Sequence, residues 1–249
     1  MLFNMSKLEN RNSLGLDKSH KNTQASAFTL IELLTVIAIL AVILAILFPA
    51  LGAASRRTKT IRCMNNLKNL GMSWFIYAND NKGFLPPVYQ PTQYAEDGKT
   101  VISDGGTWAF ILTNLQLVPP VWDDANFKSW YCPSWAPASP TDPGGGAPWT
   151  FIYGAIMYYD WLDEVRRLSD YDAMTPILAD SISESSGYPN YYIPIHQANP
   201  VSKIHLRHNG KANLFFADGH GESADAARLQ QLEFKGAPIT TWSTLPPPE

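Results

Sequence analysis

Hydropathy divides the chain into stretches with different periods. Residues 1–26 are polar and show little apolar periodicity; they carry Lys7, Arg11, Lys18 and Lys21 against Glu9 and Asp17. Phe28 to Phe48 is a run of 21 almost wholly apolar residues. As a helix it reaches about 31 Å, close to the thickness of a hydrocarbon core. Leu33 to Phe48 holds no charge, and Glu32 stands alone near the start of the run. A carboxylate inside hydrocarbon is costly, so it asks for a partner and a purpose. From Ala53 the helical spacing persists but becomes one-sided. Ile61, Met64, Leu67 or Lys68, Gly71, Trp74, Phe75 and Ala78 recur at intervals of three and four, which predicts an amphipathic helix. That helix should end near Asn79-Asp80-Asn81-Lys82-Gly83, because Gly83 and Pro86-Pro87 do not continue it.

Beyond Gly83 the pattern shortens to strand-like runs between turn residues. Trp108–Leu112, Ser129–Cys132, Phe151–Tyr159 and Ile177–Ala179 are candidate strands, with Tyr153–Tyr158 a buried one. Pro133 to Pro148 holds five prolines and Gly144-Gly145-Gly146, an irregular surface loop. Asp180-Ser181 and Ser183-Glu184-Ser185-Ser186 read as loop with exposed polar side chains. Near the C-terminus, Ile204–His208, Asn209-Gly210, Lys211–Ala217 and Asp218-Gly219 predict a three-stranded meander. Asn-Gly and Asp-Gly are preferred two-residue hairpin turns, since both positions tolerate positive φ. The tail from Thr240, with Pro246-Pro247-Pro248, is expected to be extended.

Composition narrows the class. A formal charge of -3 gives no broad electrostatic footprint for nucleic acid. The low charged fraction, 8 Trp, 11 Tyr and 19 Pro suit a loop-rich exported domain. Two cysteines, Cys63 and Cys132, allow one disulfide outside the cytoplasm and exclude a zinc site of four thiolates. A bridge would pin the base of the proline-rich loop to the long helix; the alternative is two buried thiols.

The apolar run alone fits a secretory signal cleaved near Gly52-Ala53-Ala54, or an uncleaved anchor. Its orientation is not settled by charge, because Arg56, Arg57, Lys59 and Arg62 follow the span closely. A third reading uses more residues. Ala27-Phe28-Thr29-Leu30-Ile31-Glu32-Leu33-Leu34 resembles the class III signal of type IV prepilins and type II secretion pseudopilins. The resemblance implies that a prepilin peptidase cuts between Ala27 and Phe28 and methylates the new amino terminus. Ala27 departs from the usual Gly. Pro49 falls where pilin helices often carry a proline, and the resemblance implies that Glu32 faces the cationic amino terminus of Phe28 in an adjacent subunit. Arg62–Gly71 resembles the same proteins. His208, nine residues and then Asp218-Gly219 matches a C-terminal His-X9-Asp-Gly signature of one branch with G-like pseudopilins.

The resemblance implies an α+β, pilin-like fold and a structural, non-enzymatic filament subunit. Residues 1–27 would be a cytoplasmic leader, 28–51 a transmembrane and assembly helix, 52–82 its amphipathic continuation, and 83–249 an extracytoplasmic sheet domain. The chain would cross the cytoplasmic membrane once. Its partners would be the prepilin peptidase, other pilin or pseudopilin subunits, an assembly platform and membrane lipid.

Candidate chemistry is sparse. Asp80-Asn81-Lys82-Gly83 hints at calcium, but EF-hand spacing and its final Glu are absent, so a helix cap is expected and no cofactor is assigned. His205, His208, Asp218 and His220 are suitable types for zinc. Tight turns would nevertheless put His208 and Asp218 at opposite ends of a strand, roughly 20 Å apart. A separate site using His205 or His220 stays open. No phosphate-binding glycine loop, nucleophile elbow or HExxH helix occurs. Two other classes stand beside the filament subunit. A membrane-anchored binding module for carbohydrate or protein would show a row of exposed rings in a groove. An extracytoplasmic hydrolase would place His205 or His220 near a carboxylate in a cleft.

Overall fold

The computed structural model describes residues 29–91, 93–94, 101–103, 106–119, 129–135, 152–157, 166–185, 187, 189–195, 200–234, 237–238 and 242–244. The leader, Ala27, Phe28 and most of the proline-rich loop lie outside the described residues. The chain divides into two units, Met1–Phe48 and Pro49–Glu249.

The first unit contributes the opening of helix α1, which spans Leu30–Asp80 and contains Pro49. Every described side chain from Thr29 to Phe48 is exposed. Leu30 is 81% and Phe48 68% accessible. This helix is long and apolar enough to cross a membrane.

The second unit contains the rest of α1 and the sheets. The strands are β1 (Tyr89–Gln90), β2 (Gln93–Tyr94), β3 (Val101–Ser103), β4 (Gly106–Thr107), β5 (Gly154–Met157), β6 (Pro176–Ala179), β7 (Ser181–Ser183), β8 (Tyr192–Pro194), β9 (Ser202–His205), β10 (Lys211–Phe216), β11 (Gly221–Asp225), β12 (Glu233–Phe234), β13 (Ala237–Pro238) and β14 (Trp242–Ser243). Among the described residues two short α-helices, α2 (Trp108–Asn114) and α3 (Ala226–Gln231), and a 3-10 turn at Leu168–Asp170 join them. The main sheet has the order β11-β10-β6-β5-β8, and a smaller one the order β14-β9-β7. β5–β8 and β14–β9 are parallel; the other pairs in these sheets are antiparallel. The architecture is α+β, a long N-terminal apolar helix followed by a sheet region, and is consistent with a pilin-like fold.

Strand β10 explains the layering. Alternate residues point to opposite faces. Phe215 joins the cluster that contains Leu67, Leu70 and Trp74 of α1. Ala212, Leu214 and Phe216 join a second cluster with Ile193, Ile204 and Leu229. The buried stripe of α1 is Cys63, Asn66, Leu67, Leu70, Gly71, Ser73, Trp74 and Ala78. Leu67, Gly71, Trp74 and Ala78 sit where the sequence pattern puts them. Ile61 does not, being 54% exposed, and Cys63 takes its place on the packed face. Gly71 is where helix and sheet come closest: a Cβ there would lie 2.2 Å from the Phe215 ring. Only a hydrogen at that position admits the ring.

Several expected elements change. Trp108–Leu112 is helical, not a strand; Trp108, Ala109, Leu112 and Thr113 are its buried residues, a helical spacing. Ser129–Cys132 is a bend and not a strand, with Trp130, Tyr131 and Cys132 buried in succession, so no alternation is kept. β5 and β6 fall inside the expected runs Phe151–Tyr159 and, within one residue, Ile177–Ala179. The helix does stop at Asp80, through a Schellman-type bond from the Gly83 N–H to the Ala78 carbonyl, 2.8 Å. Lys82, at φ 56, takes the left-handed position just before Gly83.

The meander is half present. Asn209 and Gly210 have φ 54 and 78, and the turn is closed by His208 N–H to Lys211 O (2.9 Å) and Lys211 N–H to His208 O (3.2 Å). The preceding strand, β9, then leaves for the smaller sheet instead of pairing along β10. The β10–β11 hairpin is real, but its loop has three residues, Ala217-Asp218-Gly219. Phe216 N–H bonds the His220 carbonyl, and Gly219 sits at φ 91. That is a type I turn with a glycine bulge, the next commonest hairpin loop.

Candidate functional site

Two places carry chemistry. The first is the start of α1. The Thr29 N–H and hydroxyl both donate to Glu32 Oε2, at 2.9 and 2.7 Å, while the Glu32 N–H donates to Thr29 Oγ1 at 3.3 Å. This is a capping box: Thr29 is the N-cap and Glu32 the third helical residue, each satisfying a donor the helix leaves open. The Thr-x-x-Glu spacing in the sequence is the signature of this cap, a role beside that of a charge seeking another subunit. Within one chain it already has a local partner. Pro49 lies in the helix, after the exposed apolar stretch.

The second place is inside the sheet unit. It arises where β6 ends and β7 begins, so that the chain passes from one sheet to the other at Asp180. The Asp180 N–H donates to the Asn213 carbonyl of β10 at 3.0 Å, and its carbonyl accepts the His205 N–H of β9 at 2.8 Å. Its carboxylate continues the stitching, accepting the Asn213 N–H on Oδ2 at 2.8 Å. Asp180 and Ser181 are fully buried, so the expectation of an exposed polar loop there is corrected. The Asp side chain takes the place of a strand partner at the sheet change.

Two further donors and one guanidinium converge on this carboxylate. Cys63 of α1 donates from Sγ to Asp180 Oδ1 at 3.2 Å. His208 Nε2 lies 3.2 Å from Asp180 Oδ2 and 3.2 Å from Cys132 Sγ. Arg207 places Nε 3.9 Å from Oδ1, stacks over Trp135 and bonds the Ser181 carbonyl. All four residues, Cys63, Cys132, Asp180 and His208, are buried, and one ligand-type atom from each lies within 4.8 Å of every other. Both cysteines are free thiols. The expected Cys63–Cys132 bridge is therefore not formed here, although its two ends are brought together.

The electrostatics follow from this crowding. Burial resists the charge on Asp180, but Arg207, His208 and the Asn213 amide outweigh it and hold the carboxyl down at about 2. Burial likewise resists the charge on His208, and Asp180 together with Cys132 overrides it, raising the imidazole to about 10. Burial pushes the Cys63 thiol up, and Cys132 and Asp180 push it further. For Cys132 burial is outweighed by the hydrogen bond from Cys63 and by His208 and Arg207, which bring it down to about 6.

The remaining candidates stay apart from this group. Asp218 pairs with His220 in the exposed hairpin turn, where its oxygen accepts the His220 N–H at 3.0 Å. The separation argued for His208 and Asp218 thus holds, but it does not extend to the partners His208 finds elsewhere. His205 packs edge-on against Trp135, with ring centroids 4.3 Å apart. Asp80 bonds its neighbour Asn79, within the helix end that Lys82 and Gly83 cap. Trp74, Trp108, Trp130 and Trp135 are buried. Among the described residues these rings fill the core and do not line a groove.

Residues 22–48 match the prokaryotic N-terminal methylation motif. No curated protein and no solved structure matches the chain. The motif supports a pilin- or pseudopilin-type precursor. It implies processing by prepilin peptidase and assembly with other pilin subunits. With the apolar helix it indicates a single-pass protein anchored in the inner membrane, of a structural class that is typically non-enzymatic.

Proposed function

We propose that the chain is a structural subunit of a type IV pilus-like or type II secretion pseudopilus filament. The peptidase cleaves after Ala27 and methylates Phe28. The mature subunit waits in the cytoplasmic membrane with residues 83–249 outside, and an assembly platform draws it into the filament. One observation carries this reading. The processing motif runs directly into a helix whose residues to Phe48 are all exposed and, apart from Glu32, uncharged. Such a surface needs lipid before assembly and neighbouring helices afterwards.

Glu32 supplies register. Cleavage frees a cationic amino terminus next to Thr29, and an adjacent subunit's Glu32 neutralises it in a medium where either charge alone is unfavourable. The Thr29 hydroxyl and N–H then keep the carboxylate oriented until that partner arrives. Sheared surface filaments from cells with and without the peptidase test the reading. The chain should appear in the sheared fraction only when the peptidase is present. A chain that stays in the membrane fraction of peptidase-competent cells making filaments contradicts it.

A further inference from the structure

We propose that Cys63, Cys132, Asp180 and His208 form a structural zinc site inside the sheet unit. The contacts Cys63 Sγ–Asp180 Oδ1, Cys132 Sγ–His208 Nε2 and His208 Nε2–Asp180 Oδ2 are each 3.2 Å, and no pair among the four chosen ligand atoms exceeds 4.8 Å. Zinc bonds of about 2.0–2.3 Å in a tetrahedron set ligand atoms about 3.3–3.8 Å apart. Contacts of 3.2 Å fall close to that spacing, and with the ligand atoms all within 4.8 Å of one another small side-chain movements bring them around one ion.

The donor chemistry selects the metal. Two thiolates and an imidazole suit zinc, whereas calcium and magnesium require oxygen. The site is closed, with four protein ligands and all four residues buried, so its role is structural. Charge also balances. Two thiolates, a carboxylate and a neutral imidazole around a divalent ion leave one net negative charge, and Arg207 stands beside Asp180 to offset it. Three of the ligands are held from behind. The Thr60 hydroxyl lies 3.2 Å from His208 Nδ1, the Tyr153 hydroxyl donates to Cys63 Sγ at 3.4 Å, and the Asn213 N–H holds Asp180. Such outer partners fix ring tautomer and ligand orientation. The ion ties four separate segments together: α1, the turn at Cys132, the sheet change at Asp180 and the turn after β9.

The test uses the full chain in detergent, unfolded with chelator and reductant, then refolded with zinc, with cobalt as a coloured probe, or without metal. One zinc per chain, a tetrahedral thiolate–cobalt spectrum and a higher melting temperature with zinc are expected. Cys63→Ser and Asp180→Asn should abolish the cobalt spectrum, and Asp180→His, which keeps a ligand, should restore a shifted one. Thr60→Ala should weaken zinc affinity by about tenfold or more. The cobalt spectrum of the unsubstituted chain keeps the test valid if a variant does not fold. A refolded chain with both thiols free that binds zinc no better than the Cys63→Ser variant overturns the proposal. So does freshly extracted protein that is metal-free and lighter by the two hydrogens of a Cys63–Cys132 disulfide.

Discussion

α1 is one helix with two kinds of surface. From Leu30 to Phe48 no side chain is buried, while from Cys63 to Ala78 one face is buried throughout. The difference shows where each part finds its partner. The second part finds it in its own chain: Leu67, Leu70 and Trp74 share a core with Phe215 and Tyr153. The first part finds none among the described residues, and its apolar surface suits lipid or another subunit. The two carboxylates repeat the contrast. Asp180 is surrounded by groups from four segments; among the described residues the Glu32 carboxylate bonds Thr29, one turn away.

The sharpest way to break this comparison is to remove the Glu32 charge while keeping its cap. Glu32→Gln preserves a capping-box residue but offers no anion to a neighbour's amino terminus. Assembly should be lost, with membrane insertion and the melting temperature of the folded unit unchanged. Glu32→Leu should lose assembly as well. Filaments at normal yield from Glu32→Gln would mean that capping is all the side chain does.

Asp180→Ala is the matching change in the other region. It leaves buried cationic and thiol groups without their anion, and should destabilise the folded unit by about 3–5 kcal/mol in denaturant unfolding, with insertion intact. Gly71→Ala should cost about 1–3 kcal/mol, because the Phe215 ring must move to admit the methyl group. Gly210→Ala, at φ 78, should cost about 1 kcal/mol by straining the turn next to His208. Arg228→Ala breaks a solvent-facing pair with Glu222 at 2.7 Å and should cost under about 1 kcal/mol. If this last change matched Asp180→Ala, the weight given to buried charge would be wrong.

What could be read from the sequence follows the same division. The apolar run, its single charge, the helix end near Gly83 and the two turns at Asn209-Gly210 and Asp218-Gly219 are local patterns, and each is visible over a few residues. The packed stripe is legible in part: Leu67, Gly71, Trp74 and Ala78 follow the periodicity, while Cys63, Asn66, Leu70 and Ser73 widen it on a side the pattern leaves out and Ile61 stays exposed. Trp108–Leu112 misled because a short apolar run has no decisive period. The buried polar group was out of reach. Cys63, Cys132, Asp180 and His208 span most of the sheet unit's length, and their meeting depends on a chain that changes sheets at Asp180. One signal was available: Asp180 is flanked by Ile177-Leu178-Ala179 and Ile182, and a charge set within an apolar strand pattern calls for a buried partner.

If the exposed half of α1 belongs to a processed filament subunit, the chain must lose its leader. Intact-mass and N-terminal analysis of the membrane-extracted chain, from cells with and without prepilin peptidase, tests it most directly. A mature chain starting at N-methylated Phe28 is expected in the first cells and the full leader in the second. Retention of the leader in both, or a start near Ser55, would contradict it.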